Sequence, residues 1–427
     1  MAPAQGTQKS ASISARSAAL AALAWGLSCG AARADDALLE PTTPHAPFWQ
    51  AARDPDLGRI DALLRQGRAR LQPALGFGLL FGAEASIHRR TGVENALARF
   101  ERALSIDPKH PEALYLSGKA LASWERRTPQ GKLERRTREA IERFEALRAV
   151  DPLYEAEDVA FELGVLLTRE EDFRGAAQAY ERALALRLTG GSASTILANL
   201  AEVSMLGEDL ERAVGLYERA ASEGSREERV LASWGMAVAL DRLGETTESL
   251  ERAKQAIRDD QRPMAVLKQG RVFFVPPHES HYYDGLGWLA MAELETSEGA
   301  PLELLLRDLR RELSRPDSAS VLINLRQQLA GLAEEGHRET LALLALWVEK
   351  NLPRLPAPKS VPGAESKPQV TSASARAALL CVQSLRAFQR YLDRGGNQGP
   401  WGLDAEAHVE QLSGWLEAGL KPAAPPR

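Results

Sequence analysis

Four segments of the chain share one spacing, and that repetition limits the fold more than any other feature. They are ALARFERALSIDP from Ala96, AIERFEALRAVDP from Ala140, AAQAYERALAL from Ala176 and AVGLYERAA from Ala213; SLERAKQAI from Ser249 is a degenerate fifth. Each opens on a small residue, places an aromatic four positions later (Ala253 in the fifth) and an apolar residue three after that. Phe100, Phe144, Tyr180 and Tyr217 hold the aromatic position, and Ala103, Leu147, Ala183 and Ala220 the next. Positions i, i+4 and i+7 fall on one face of an α-helix. The starts recur about every 36 residues, the period of stacked supersecondary units.

A second helix precedes each of these. Its centre is a small residue twelve positions earlier in the regular copies: Gly164 in AFELGVLL, Ala201 in LANLAEVSML and Ala237 in WGMAVALDRL. Gly118 in LYLSGKAL plays the same part, set further from Ala140 by an extra segment within WERRTPQGKLERRTRE. Small residues there let two helices approach closely, and Gly207-Glu208 and Gly244-Glu245 supply turns between them. The arrangement resembles the tetratricopeptide repeat family, a helix-turn-helix of 34 residues with a closing Pro; Pro108 and Pro152 occupy the Pro site. The resemblance implies an all-α solenoid of helical hairpins, each burying its apolar face against its neighbours.

The expected organisation runs as follows. Residues 1–34 contain no acidic residue, and carry Lys9 and Arg16, an apolar run from Ala18 to Leu27 and Ala32-Arg33-Ala34. That order reads as a secretory signal peptide cut after Ala34, with lipidation at Cys29 as the smaller alternative. Residues 35–76 form an N-terminal segment with a capping helix over 54–72. Residues 77–261 hold about five repeats, the first beginning with a helix near 78–90. Within 262–295, residues 270–277 read as a short extended loop, and HYYDGLGWLAMAEL as the first helix of a sixth repeat, with Tyr283, Leu286, Gly287 and Ala290 at the family positions. Its second helix, with Ser384, Phe388 and Tyr391, follows only after a helical segment at 296–352 and a Pro/Ser-rich linker at 353–374. Two readings of 296–372 stand side by side: an insertion within that repeat, or an independent small helical domain. Residues 375–427 form C-terminal helices with a cap at 404–420.

A net charge of −5 and a pI near 5.9 argue against nucleic acid. No run after the leader is apolar enough to span a membrane. Phosphate loops, dinucleotide fingerprints and nucleophile elbows are missing from the sequence, so no enzyme and no cofactor is expected. The resemblance implies a protein or peptide partner along the concave face, lined by the first helix of each pair. Counting from the small reference residues places Tyr115, Phe161 and Trp234 there, joined by Lys119, Val165, Glu202 and Val238. The competing reading packs these side chains between neighbouring helices. Family members that grip a C-terminal carboxylate use Lys and Asn; only Lys119 and Asn199 come close, out of register.

Three other features have a bland reading beside a functional one. The basic run Arg126, Arg127, Lys132, Arg135, Arg136 and Arg138 reads as an anion-binding patch or as the solvated face of lengthened helices. His278-Glu279-Ser280-His281 has the wrong spacing for a zinc protease and reads as a turn entering a helix. Cys381, in an apolar stretch, reads as a small buried hydrophobe. The expectation is an exported, periplasmic or envelope-associated scaffold without catalysis. The alternative is an accessory or lipid-anchored assembly factor supporting a partner enzyme.

Overall fold

A computed structural model describes residues 55–76, 83–128, 133–187, 193–259, 278–296, 300–307, 309–313 and 373–420. The leader, Cys29, the loop at 270–277 and most of 296–374 lie outside these residues. The chain forms α1 (Pro55–Gly76), α2 (Ala83–Ile106), α3 (Pro111–Ala122), β1 (Glu125–Arg127), β2 (Leu133–Arg135), α4 (Thr137–Val150), α5 (Ala156–Arg169), α6 (Phe173–Leu186), α7 (Ser194–Leu206) and α8 (Leu210–Glu223). There follow α9 (Arg226–Arg242), α10 (Thr246–Asp259), α11 (Glu279–Glu293), α12 (Leu302–Arg307), α13 (Leu309–Leu313), α14 (Ala373–Asp393) and α15 (Gly402–Leu420). It is an all-α stack of antiparallel hairpins, α3/α4, α5/α6, α7/α8 and α9/α10, each docked on the next.

The repeated spacing works as the sequence suggests. Phe100, Phe144, Tyr180 and Tyr217 are all fully buried, as are Ala96, Ala140, Ala176 and Ala213 four residues before them. Close approach is literal at Gly118, where a Cβ would sit 2.8 Å from the Phe144 ring. Helix starts are set locally: Asp172 accepts from the Gly175 N–H at 2.9 Å, and Ser225 with Glu228 forms a capping box on α9.

Several expectations change. The helix expected near 78–90 is not separate, since α2 runs unbroken from 83 to 106, and α1 is its hairpin partner, not a cap. Gly67 of α1 lies directly against the Phe100 ring, the same relation that Gly118 has with Phe144. The loop expected at 270–277 lies outside the described residues; among these, extended structure occurs in the extra segment before α4. There β1 and β2 pair antiparallel, with Arg126 opposite Glu134 and Glu125 opposite Arg135. Alternating charges across the hairpin satisfy each other, which lengthened helices would not have required.

The turn between paired helices falls at Gly207-Glu208 as expected, and its left-handed residue is the second of the pair. Gly207 has φ −88, while Glu208 holds the left-handed position at φ 69. Glu171 (φ 62) and Gly244 (φ 82) sit at the equivalent place in the neighbouring repeats. The amides that follow reach back to close each helix, Asp172 N–H to Leu167 O at 3.0 Å, Asp209 N–H to Ser204 O at 2.9 Å and Glu245 N–H to Leu240 O at 2.9 Å.

At the C-terminal end α11 pairs with α14 across a long stretch of chain. Ser384 Oγ donates to the Gly285 carbonyl at 2.7 Å, and Tyr282 meets Phe388 edge-on at 5.2 Å between centroids. The glycine under the aromatic ring is Gly285, where a Cβ would lie 2.8 Å from Phe388, and not Gly287. Helices α12 and α13 pack on α14 and α15, and Ser374 Oγ donates to the Leu305 carbonyl at 2.9 Å. No helix of the described residues is long and apolar enough to cross a membrane.

Candidate partner-binding groove

The first helices α3, α5, α7, α9 and α11 succeed one another along one side of the stack, and the expected groove residues divide into two groups there. On α3 and α5, Tyr115, Lys119, Phe161 and Val165 are half-buried. On α7 and α9, Glu202, Trp234 and Val238 are 0% exposed. Those three belong to the interior of the protein and offer a partner no surface in this structure. Trp234 and Val238 join the larger of two core clusters. Burial there follows from what the neighbouring repeat supplies. The Tyr283 hydroxyl of α11 donates to Glu202 Oε2 at 2.7 Å, and the Tyr217 hydroxyl of α8 to the same oxygen at 2.5 Å.

In the half-buried stretch, the Tyr115 ring packs edge-on against Tyr154 at 5.9 Å and beside Phe144 at 6.5 Å. Its hydroxyl donates to Asp158 Oδ2 at 2.8 Å. Phe161, one turn along α5, lies 5.7 Å from the Tyr180 ring. The Lys119 ammonium bridges Asp158 at 3.0 Å and Glu162 at 2.7 Å. Burial pulls the Lys119 ammonium toward its neutral form, but Glu162 and Asp158 outweigh that and hold its affinity for the proton above the ordinary lysine value. Burial and the Asp158 carboxylate push the Tyr115 phenol upward, so it remains a neutral donor. Lys119 is thus neutralised by its own chain and has no spare charge with which to hold a C-terminal carboxylate. Asn199 is buried, and its side-chain amide donates to the Thr195 carbonyl at 2.7 Å.

Beyond Glu202 lies a buried polar network that sequence reading missed. Arg242 and Glu279 form an ion pair at 2.5 Å with side chains 0% and 3% exposed. The Arg242 guanidinium sits between the Tyr282 and Trp401 rings, 4.7 and 4.8 Å from their centroids. Asp241 Oδ2 accepts from Tyr282 at 2.8 Å and contacts His408 Nε2 at 2.7 Å. The network ties α9, α11 and α15 together. The sequence signal for it was slight: the charged pair Asp241-Arg242 after the apolar stretch 230–240, and Glu279 in a segment read only as a turn.

The remaining candidates among the described residues make structural contacts; Lys132 lies outside them. Glu279 begins α11 and is spent on Arg242, His281 contacts Arg394 at 2.9 Å, and His278 lies beside the Tyr391 ring. Among the described residues no three His, Cys, Asp or Glu side chains are grouped for a metal. In the basic segment Arg126 pairs with Glu134, Arg135 with Glu125, Arg136 with Glu139 and Arg138 with Glu170. Cys381 is buried, and burial pushes its thiol up to about 12.

Comparison with known proteins agrees with the repeat. Residues 160–194 match the sequence profile of the tetratricopeptide repeat family. No curated protein matches the chain. Among solved structures, MamA is 16% identical, with 51% of this chain and 98% of that one covered at a TM-score of 0.37. YrrB, described as a TPR protein with an unusual peptide-binding site, is 19% identical, covering 44% and 91% at 0.35. PilF of Pseudomonas aeruginosa is 19% identical, covering 59% and 93% at 0.35. The matched stretch begins within α5 and takes in α6, so the chain carries a tetratricopeptide repeat there, within a row of hairpins that share its small–aromatic spacing.

Proposed function

We propose that the protein is an exported scaffold that binds a protein partner along the α3–α5 stretch of its concave face and performs no chemistry of its own. One observation supports this above the others. Tyr115, Phe161 and Val165 stay half-buried beside charged groups, while the corresponding positions on α7 and α9 are filled by the chain itself. Aromatic side chains that keep one face accessible are efficient anchors for a partner segment. Placement in the periplasm or envelope rests on the leader sequence of residues 1–34.

The test is affinity purification of the tagged chain from solubilised envelope, beside Tyr115→Ala/Phe161→Ala. Trp234→Ala serves as a third bait. Because Trp234 is an interior residue, its loss reports on stability and not on contact. A partner recovered with the wild type and lost with the double variant, while both proteins melt cooperatively, supports the reading. The same partner recovered with the double variant removes it. Mass spectrometry of the mature N-terminus checks the cut after Ala34.

A further inference from the structure

The charge of the groove indicates what kind of segment it takes. We infer that the α3–α5 groove receives a lysine- or arginine-bearing, otherwise apolar segment of the partner, an inference that rests on the groove reading above. Aromatic rings and carboxylates meet at its mouth. Tyr115 and Tyr154 present half-buried rings, and Asp158, Glu162 and Glu155 surround them. Lys119 is already shared between Asp158 and Glu162, and Arg68, whose charge also reaches the Tyr154 phenol, is paired with Glu112. With Arg169 near Glu162 counted as well, the four carboxylates Glu112, Glu155, Asp158 and Glu162 outnumber the cations Arg68, Lys119 and Arg169 by one. Arg169, at the other end of α5, is turned to the Ala122 carbonyl at 3.2 Å.

Glu155 makes the argument specific. It is exposed and held at φ 45, a left-handed conformation that a glutamate adopts at a cost in strain. Burial and then the Glu155 carboxylate push the Tyr154 phenol upward, and Glu155 acts on Tyr115 in the same direction. A carboxylate beside two aromatic rings is a setting in which an incoming guanidinium or ammonium gains both an ion pair and a ring face. An acidic segment or a free C-terminal carboxylate meets the same surplus as repulsion, because Lys119 cannot turn to it without abandoning Asp158 and Glu162. The chain as a whole is acidic as well, with a net charge of −5.

The experiment is fluorescence anisotropy of the full mature chain with three labelled peptides of equal length on one Leu/Trp scaffold. One carries lysines and arginines, one carries glutamates, and one is neutral with a free carboxyl terminus. The inference predicts that the basic peptide binds best and weakens as salt is raised toward 1 M, where the Debye length shrinks to about 3 Å. It also predicts that Glu155→Gln/Asp158→Asn weakens this binding by about fivefold, the scale of a partly exposed ion pair. Glu155→Gln alone, at an exposed site, keeps the test valid should the double variant melt early. Tighter binding of the acidic or carboxyl-terminal peptide overturns the inference, as do equal binding of all three, no binding at all, or no response to either variant. Failure of the groove reading is a separate result. If the envelope partner is lost with Tyr115→Ala/Phe161→Ala yet presents an acidic segment, the groove stands and the charge inference falls.

Discussion

A single carboxyl, Glu202, illustrates how much a residue's neighbours decide. It was expected to line a groove and instead lies fully buried, with Oε2 accepting from Tyr217 and Tyr283. Oε1 has no hydrogen-bond partner among the described residues. Burial penalises the charged form more than the two hydroxyls favour it, and the carboxyl is pushed up to about 7. The folded state therefore holds a proton that the unfolded chain has released. Below the unfolded value the group makes no difference. Between there and about pH 7 it erodes stability, and above pH 7 the loss is complete, about 3 kcal/mol. Glu202→Gln should match the wild type in acid and exceed it in thermal stability at pH 8; equal melting at both pH values would remove the argument. The Arg242–Glu279 pair behaves differently, because removing one partner strands a charge in the interior. Glu279→Ala should cost about 3–5 kcal/mol in urea unfolding, whereas an apolar pair such as Arg242→Met/Glu279→Leu should cost clearly less.

At the scale of elements, what recurs in the sequence was legible and what depends on a single neighbour was not. The i, i+4, i+7 face of the second helices could be read because it is written at Ala140, Ala176 and Ala213 alike, and each copy supports the others. The turn at Gly207-Glu208 was legible, but not that the backbone places Glu208, and not the glycine, in the left-handed position. That position predicts a gain. Glu208→Gly should stabilise the chain by up to about 1 kcal/mol, and Gly244→Ala, in the equivalent turn, should destabilise it by a similar amount; thermal melts of both decide the point. The β1–β2 hairpin escaped notice because strands of three residues with mixed charge show no alternation of apolar residues. The α1 helix was taken for a cap because its mark, Gly67, becomes meaningful only once Phe100 is seen to rest on it.

Over the whole molecule, stacking decides which part of the concave face remains available. Each repeat covers its neighbour, so a groove position inherits its burial from the repeat that follows. Tyr283 of α11 reaches back to Glu202 of α7, and the Arg242 network binds α9, α11 and α15 into one unit. Sequence alone placed Tyr115, Phe161 and Trp234 on one surface, since it sees each helix face but not what the next hairpin lays against it. The α11–α14 pairing, sealed by Ser384 on Gly285, completes the closed end and leaves α3 and α5 as the stretch of the expected groove with accessible side chains. The most direct measurement is site-specific photo-cross-linking in living cells, with a benzoyl-phenylalanine placed at Phe161 or, as control, at Leu403, which is 77% exposed on α15. The account predicts one discrete adduct from position 161 and none from 403. An adduct from 403 with none from 161 would contradict it.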